Sequence, residues 1–201
     1  MENTNGMIYI PEINLYLSTE RSHLSKSWND THSALALEGK RMPTIEEFRN
    51  TLRYLKNSSD QQCQELYREI TEVRNPERGI WLDAYFSRGN DGLYLLTRNR
   101  IRVEKLEVNG RMENLQFEIH PFMWLFRGNN LDSWIESKDM TSQGLPHARN
   151  SLLNFYYLHP VEGRVAFIGA TSLFSALSCS GSSTESYQTR GVFSVVDAGQ
   201  K

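Results

Sequence analysis

Apolar residues recur at helical spacing in two stretches of the first half of the chain. In the first stretch, Ile45, Phe48, Leu52 and Leu55 follow one another at intervals of three or four residues, which places them on one face of a helix. Thr44 precedes this stripe, and a glutamate stands three residues after it, as in a capping box. The pattern predicts a helix that begins directly after Thr44.

A second stripe with the same spacing follows a short polar break. The break, Asn57-Ser58-Ser59-Asp60, ends the first helix and supplies a cap for the next one. The second stripe ends near Asn75-Pro76 and consists of Cys63, Leu66, Tyr67, Ile70 and Val73. Two amphipathic helices are therefore predicted in this half of the chain.

The N-terminal segment is rich in β-prone residues. Met7–Ser18 carries isoleucines, leucines and tyrosines and is interrupted by Pro11, which predicts two short strands or one broken strand. From there to Asp30 the chain is polar, and no regular element is predicted.

Short β-prone runs separated by turn residues dominate the rest of the chain. Three turn sequences lie between such runs and predict hairpins. They are Asp91-Gly92, between Trp81–Phe86 and Leu93–Thr97; Asn109-Gly110, between Val103–Val108 and Leu115–Ile119; and residues 159–163, between Phe155–Leu158 and Arg164–Ile168. A short helix or turn is predicted at Leu131–Ile135, and a last strand at Gly191–Val196.

Together these elements predict an α+β fold. Two helices in the N-terminal half precede short antiparallel strands that are joined by extensive loops. The length of 201 residues suits one domain, residues 1–201.

Composition narrows the classes of partner. The chain is 39% apolar and 23% charged, and its formal net charge is −2, so no electrostatic attraction to nucleic acid is expected. No apolar run is long enough for a membrane span, and the N-terminus does not read as a signal peptide. The expectation is a soluble protein that does not insert into membranes, cytoplasmic or virion-associated. Cys63 and Cys179 lie far apart, and buried free thiols are expected.

One segment differs from the rest of the chain in composition. Val165–Thr189 contains a single charged residue, Glu185, and seven serines fall between residues 171 and 188. A flexible linker is one interpretation of such a serine-rich stretch. Strand-like runs on both sides and interspersed aromatic residues favour the other interpretation, an ordered, loop-rich binding surface. Tyrosine and serine suit such a surface because tyrosine gives contact area at a low cost in entropy.

Motifs for catalysis and metal binding are missing from the sequence. There is no Gly-x-Ser-x-Gly elbow and no phosphate-binding loop, and the five histidines do not show ligand spacing. Trp28-Asn29-Asp30 matches the calcium-site tripeptide of sugar-binding lectins, but it lies in the wrong half of the chain. We predict no catalytic residue, no metal and no cofactor.

Two motifs resemble a known superfamily. Residues 39–48, Gly-Lys-Arg-Met-Pro-Thr-Ile-Glu-Glu-Phe, look like the signature that opens the first helix of C-type lectin folds of the formylglycine-generating-enzyme type. Gly191-Val192-Phe193 lies where that superfamily has Gly-Phe/Val-Arg, with Phe193 in place of the arginine. Catalytic members carry two cysteines close in sequence, which Cys63 and Cys179 are not. The resemblance therefore implies a C-type lectin-like domain without that activity.

Within this superfamily the chain resembles the variable proteins of diversity-generating retroelements. Phe155–Leu158, a turn and Arg164–Phe167 look like the hairpin that leads into the variable region of archaeal and viral members. In that family adenines, chiefly in asparagine codons, are randomised, and such codons cannot yield Trp, Met, Gln, Lys or Glu. Composition predicts about five of these among residues 165–191, where only Glu185 and Gln188 occur.

The resemblance makes residues 165–191 a candidate variable region that binds a ligand. Its candidate ligand-binding residues are Phe167, Ile168, Thr171, Leu173, Phe174, Ser178, Ser180, Ser182, Ser183, Tyr187 and Thr189. Leu177, Val192, Val195 and Val196 are expected to be the scaffold beneath them. The leading hypothesis is a non-enzymatic display protein that recognises a macromolecular partner, a protein or a cell-surface component. Two alternatives stay open, a structural subunit of a viral particle and a relative of the formylglycine-generating oxidases.

Overall fold

The computed structural model describes residues 6–72, 78–97, 102–105, 131–146, 156–158, 160–170 and 175–199. These residues form a mixed α and β structure. Its helices are α1 (Trp28–Leu37), α2 (Ile45–Asn57), α3 (Gln61–Thr71) and α4 (Asp132–Glu136). Its strands are β1 (Met7–Ile10), β2 (Leu15–Ser18), β3 (Arg78–Gly89), β4 (Gly92–Thr97), β5 (Arg102–Lys105), β6 (Tyr156–Leu158), β7 (Val165–Ala170), β8 (Ser175–Gly181), β9 (Arg190–Gly191) and β10 (Val195–Asp197).

Helices α2 and α3 confirm the predicted amphipathic stripes from Ile45 to Ile70, and Val73, the last residue of the second stripe, lies outside the described residues. The Thr44 hydroxyl accepts a hydrogen bond from the Glu47 backbone N–H, and the Glu47 carboxylate accepts one from the Thr44 N–H, so the capping box is complete. Asp60 caps α3 by accepting a bond from the Cys63 N–H. The apolar faces of both helices lie in the main core. The short helix predicted at Leu131–Ile135 is present as α4.

Helix α1 was not predicted, because its buried face is partly polar. Trp28, Thr31, His32 and Leu35 are buried at helical spacing, but two of the four are polar and leave no apolar stripe to detect. The expectation of irregular structure up to Asp30 is therefore wrong from Trp28 onwards. Trp28 donates its indole N–H to the Leu82 carbonyl at 2.7 Å, which fixes α1 against strand β3.

The two ends of the described chain meet in a small antiparallel sheet. The strand order is β1-β2-β10, and Pro11 begins a 3-10 turn that separates β1 from β2, as the sequence predicted. Strands β9 and β10 are two short elements where one continuous run, Gly191–Val196, was expected. Val192 pairs with Ser22 instead, which breaks the run.

A seven-stranded sheet carries the rest of the β structure. Its order is β5-β4-β3-β7-β8-β6, and β9 pairs with β3 in parallel. The first predicted hairpin is confirmed as β3 and β4, joined at Gly89 and Gly92. The second, at Asn109-Gly110, lies outside the described residues. The third is wrong, because β7 is paired with β3 and β8 on its two edges, and β6 pairs with β8 in parallel.

In the described residues of the serine-rich segment, the first part is strand and not loop. Strands β7 and β8 occupy the middle of the large sheet, and Ser175–Gly181 is buried throughout except at Ser180. The small side chains explain this position, since they let neighbouring elements approach closely. Ser175, for example, donates its hydroxyl to the Thr71 carbonyl at the end of α3.

The large sheet separates two apolar clusters. Side chains alternate between its faces, so Ile80 and Ile168 point into the main core beneath α2 and α3. Trp81 and Val165 point to the other side, called the outer face here, where they pack with Trp28 of α1. Phe167 lies at the border of this second cluster and is only partly buried.

Candidate functional site

The predicted ligand-binding residues do not all lie on one surface. Phe167 is on the outer face, whereas its neighbour Ile168 is 1% exposed in the main core. Two consecutive residues of a strand point to opposite faces, so both could not contribute to one surface. The expectation that Ile168 is an exposed contact is therefore wrong.

Ser178 and Ser182 are also buried, contrary to the expectation of exposed contacts. Ser178 lies opposite Phe167 in the register of β7 and β8, is 3% exposed, and its hydroxyl pairs with that of Ser180 at 3.0 Å. Ser182 is also buried, and its hydroxyl accepts hydrogen bonds from the backbone N–H groups of Thr184 and Glu185. Neither serine is therefore exposed for contact with a ligand.

The remaining candidates divide into two groups. Phe167, Ser180, Ser183, Tyr187 and Thr189 are partly exposed. Thr171, Leu173 and Phe174 lie outside the described residues. Of the four residues expected to form the scaffold, Leu177, Val192 and Val195 are fully buried, and Val196 is partly buried.

Arg190 brings the partly exposed aromatic residues together. Its guanidinium carbon lies 3.6 Å from the centre of the Tyr187 ring, 3.8 Å from that of Phe167 and 4.7 Å from that of Trp81. The Trp81 ring contacts both other rings, with centroid separations of 5.9 Å to Phe167 and 6.1 Å to Tyr187. We call these four residues the arginine–aromatic cluster. Each such cation–π contact adds roughly 0.5–1 kcal/mol at an exposed site.

Glycines make room for the cluster. A Cβ atom at Gly79 would come within 2.4 Å of the Arg190 Cγ atom, so the arginine stem crosses the sheet where β3 has no side chain. A Cβ at Gly181 would lie about 3.1 Å from the Phe167 ring and 3.2 Å from that of Trp81. Gly79, Trp81 and Arg190 were not predicted from the sequence, because only the register of the sheet brings them next to Phe167.

The loop of residues 182–189 is held at several points. The Asn29 N–H of α1 donates a hydrogen bond to the Ser183 carbonyl at 3.1 Å. The Gly79 N–H of β3 donates one to the Thr189 carbonyl, also at 3.1 Å. The Tyr187 hydroxyl donates to the Glu185 carboxylate at 2.5 Å. That bond raises the pKa of Tyr187 above its ordinary value, and burial adds to the effect. The loop is therefore braced by α1 and β3 while the side chains of Thr184, Glu185 and Ser186 are exposed.

The two cysteines are free and buried, as expected. Cys63 belongs to α3 and Cys179 to β8, and both lie in the main core. Burial raises the pKa of Cys179 well above its ordinary value and raises that of Cys63 as well. In the part of the chain that the structure describes, no group of three or more His, Cys, Asp or Glu residues could hold a metal ion. Among the described helices, none is long and apolar enough to cross a membrane.

Comparisons with known proteins leave the site to be interpreted from its own geometry. No family model, no curated protein and no solved structure matches the chain.

Proposed function

We propose that this chain is a non-enzymatic ligand-binding protein that recognises a macromolecular partner through its outer face. The observation that supports the proposal is the arginine–aromatic cluster. It gathers Phe167 and Tyr187, which are twenty positions apart in sequence, on one partly exposed patch. Ser180, Ser183 and Thr189, in the strands and loop around them, supply partly exposed polar groups. Rigid aromatic anchors with small polar neighbours are the composition of an adaptable binding surface.

The way in which the strands and the loop hold this surface also suits the binding of a partner. The strands beneath the surface are buried in the core, and the loop is fixed to α1 and β3 by backbone hydrogen bonds. A surface that is already ordered loses little conformational entropy when a partner binds. Substitutions at its exposed positions usually change stability by no more than about 0.5 kcal/mol. The same scaffold could therefore carry different side chains.

The resemblance in sequence extends this proposal to the mode of diversification. We infer a C-type lectin-like domain whose residues 165–191 are varied by a retroelement, in an archaeal or viral setting. The partner is then a protein or a cell-surface component that differs from one variant to the next. Thr171, Leu173 and Phe174 stay among the candidate contacts on the strength of the sequence pattern alone.

The DNA around the gene tests the diversification directly. We expect a near-copy of the segment that encodes residues 165–196, differing chiefly at adenines, beside a reverse transcriptase gene. Substitutions should fall on codons of exposed positions such as Ser183 and Tyr187 and spare buried ones such as Leu177. If several kilobases on either side hold no such copy, the retroelement mechanism is excluded, and only the binding surface remains to be tested.

A library experiment tests the surface without knowledge of the natural partner. Codons for Phe167, Ser180, Ser183, Tyr187 and Thr189 are randomised, and the displayed library is selected against one purified protein. A control library randomises five exposed residues of the helices, Glu46, Gln61, Gln64, Glu65 and Arg68. We expect folded binders from the first library at a higher frequency than from the second. Equal frequencies, or general unfolding of the first library, would contradict the proposal.

A further inference from the structure

Two arginines line a small cavity on the inner side of the large sheet. Its charged lining residues are Arg21, Arg78 and Glu69, and Ile80, Ile168 and Phe193 are among its apolar ones. The volume is about 10 Å³, which is room for one group of the size of a water molecule.

Each guanidinium uses only part of its donors in hydrogen bonds to the described residues. The Arg21 Nη1 group donates to the carbonyls of Thr189 at 2.8 Å and Gly79 at 3.4 Å. The Arg78 Nη1 group donates to the Glu69 carbonyl at 3.0 Å and its carboxylate at 3.3 Å. A guanidinium has five N–H donors, and these bonds involve only the Nη1 group of each arginine, so further donors are available to water or to a ligand.

The charges around the cavity do not balance among the described residues. Two guanidiniums share one carboxylate, and that of Glu69 is 49% exposed, whereas the Arg78 side chain is only 19% exposed. Burial lowers the pKa of Arg21, and the neighbouring charge of Arg78 lowers it further. An anion at this place would offset both effects, since it neutralises the excess charge and accepts the unused N–H groups.

We propose that Arg21 and Arg78 form a binding site for a small oxyanion, one oxygen of which enters the cavity between them. The chemical class is a phosphate or a carboxylate, the acceptors that match the planar fork of a guanidinium. Arg21 also holds the Thr189 carbonyl at the end of the loop of residues 182–189. The bound anion therefore stiffens the base of that loop. This site does not depend on the proposed recognition function, since it concerns different side chains on the other side of β3.

Thermal unfolding of the full chain tests the site. The melting temperature is measured while sodium phosphate replaces sodium chloride at constant ionic strength, and again with sodium acetate. We expect a rise of roughly 2–4 °C when the anion exceeds its dissociation constant several-fold. If only phosphate raises the melting temperature, the site binds phosphate. If acetate raises it as well, the site also accepts carboxylates.

Variants separate a specific site from general salt stabilisation. Arg78→Gln should lose the rise, and Arg88→Gln, which removes an exposed arginine of the same strand, should keep it. The ³¹P line width of phosphate, measured well below the unfolding temperature, should broaden with the parent chain and not with Arg78→Gln. An equal rise and equal broadening in Arg78→Gln, or no response of the parent chain to either anion, would overturn the proposal.

Discussion

The guanidinium carbon of Arg190 lies 3.6 Å from the centre of the Tyr187 ring, so the last charged residue before β10 fixes an aromatic residue of the serine-rich loop. The backbone supports the same contact, because the Arg190 N–H donates a hydrogen bond to the Tyr187 carbonyl at 3.0 Å. A short turn therefore presents one side chain to the other. The Tyr187 ring on the outer face is thus held by Arg190, which was not among the candidate contacts predicted from the sequence.

Replacing Arg190 by alanine should destabilise the chain by about 1–2 kcal/mol, because the stem of the arginine packs across β3 and its head contacts three rings. The free energy of unfolding in urea measures the loss. Arg88→Ala is the matched control, since that arginine is 58% exposed and pairs only with exposed Glu162 among the described residues. It should cost about 0.5 kcal/mol or less. Similar losses in the two variants would show that the cluster adds no stability.

Gly79→Ala should displace the Arg190 side chain, because the new Cβ atom would lie 2.4 Å from its Cγ atom. Overpacking of this kind costs about 1–3 kcal/mol. In the Arg190→Ala background most of that cost should disappear, since no Cγ atom remains to collide with. A double-mutant cycle by urea unfolding measures the coupling. Additive losses would mean that Gly79 is constrained by something other than Arg190.

The sequence predicted those parts of the fold that depend on local pattern. Helices α2 and α3 carry a regular apolar stripe and their own caps, and the β3–β4 hairpin has its turn residues in the chain itself. Helix α1 could not be found in this way, because it buries Thr31 and His32 in place of apolar residues.

The sequence predicted the candidate site only at positions where the type of residue reflects its exposure to solvent. Tyr187 and Ser183 were selected as contacts and are partly exposed, but alternation along β7 buries Ile168 beside Phe167. Arg190, Trp81 and Gly79 join the site through the pairing of β3 with β7 and β9. That register is a long-range property, and no window of the sequence around these residues contains it.

Glu47→Gln should destabilise the chain more than Asp197→Asn, although both carboxylates accept a hydrogen bond from Arg41. Glu47 accepts two bonds from the Arg41 guanidinium, and both side chains are nearly buried. In Glu47→Gln the neutral amide would turn an N–H group towards the guanidinium in place of one acceptor oxygen. We expect a loss of about 2–3 kcal/mol for Glu47→Gln. The Asp197 side chain is 31% exposed, and its replacement should cost about 1 kcal/mol. Chemical unfolding of both variants at neutral pH gives the order, and a reversed order would contradict it.

Stability should fall at alkaline pH, and Cys179 should contribute to the fall. The thiol is fully buried in β8, and burial raises its pKa well above the ordinary value of 9.0. In the unfolded chain the thiol ionises near its ordinary pKa, whereas in the folded chain it stays protonated. The unfolded state therefore binds fewer protons above that pH, and the free energy of unfolding decreases as pH rises.

The contribution of Cys179 is full below about pH 8 and is lost progressively as pH rises towards the raised pKa of the folded state. Each such group adds a slope of at most about 1.4 kcal/mol per pH unit. Urea unfolding between pH 7 and pH 10, with a reducing agent present, should show a shallower decrease for Cys179→Ala than for the parent chain. Cys63→Ala is the control variant, because the Cys63 thiol keeps a hydrogen bond with Ser58 that opposes the rise of its pKa, and its effect on the slope should be smaller. A Cys179→Ala slope equal to that of the parent chain would mean that the thiol ionises as readily in the folded protein as in the unfolded one.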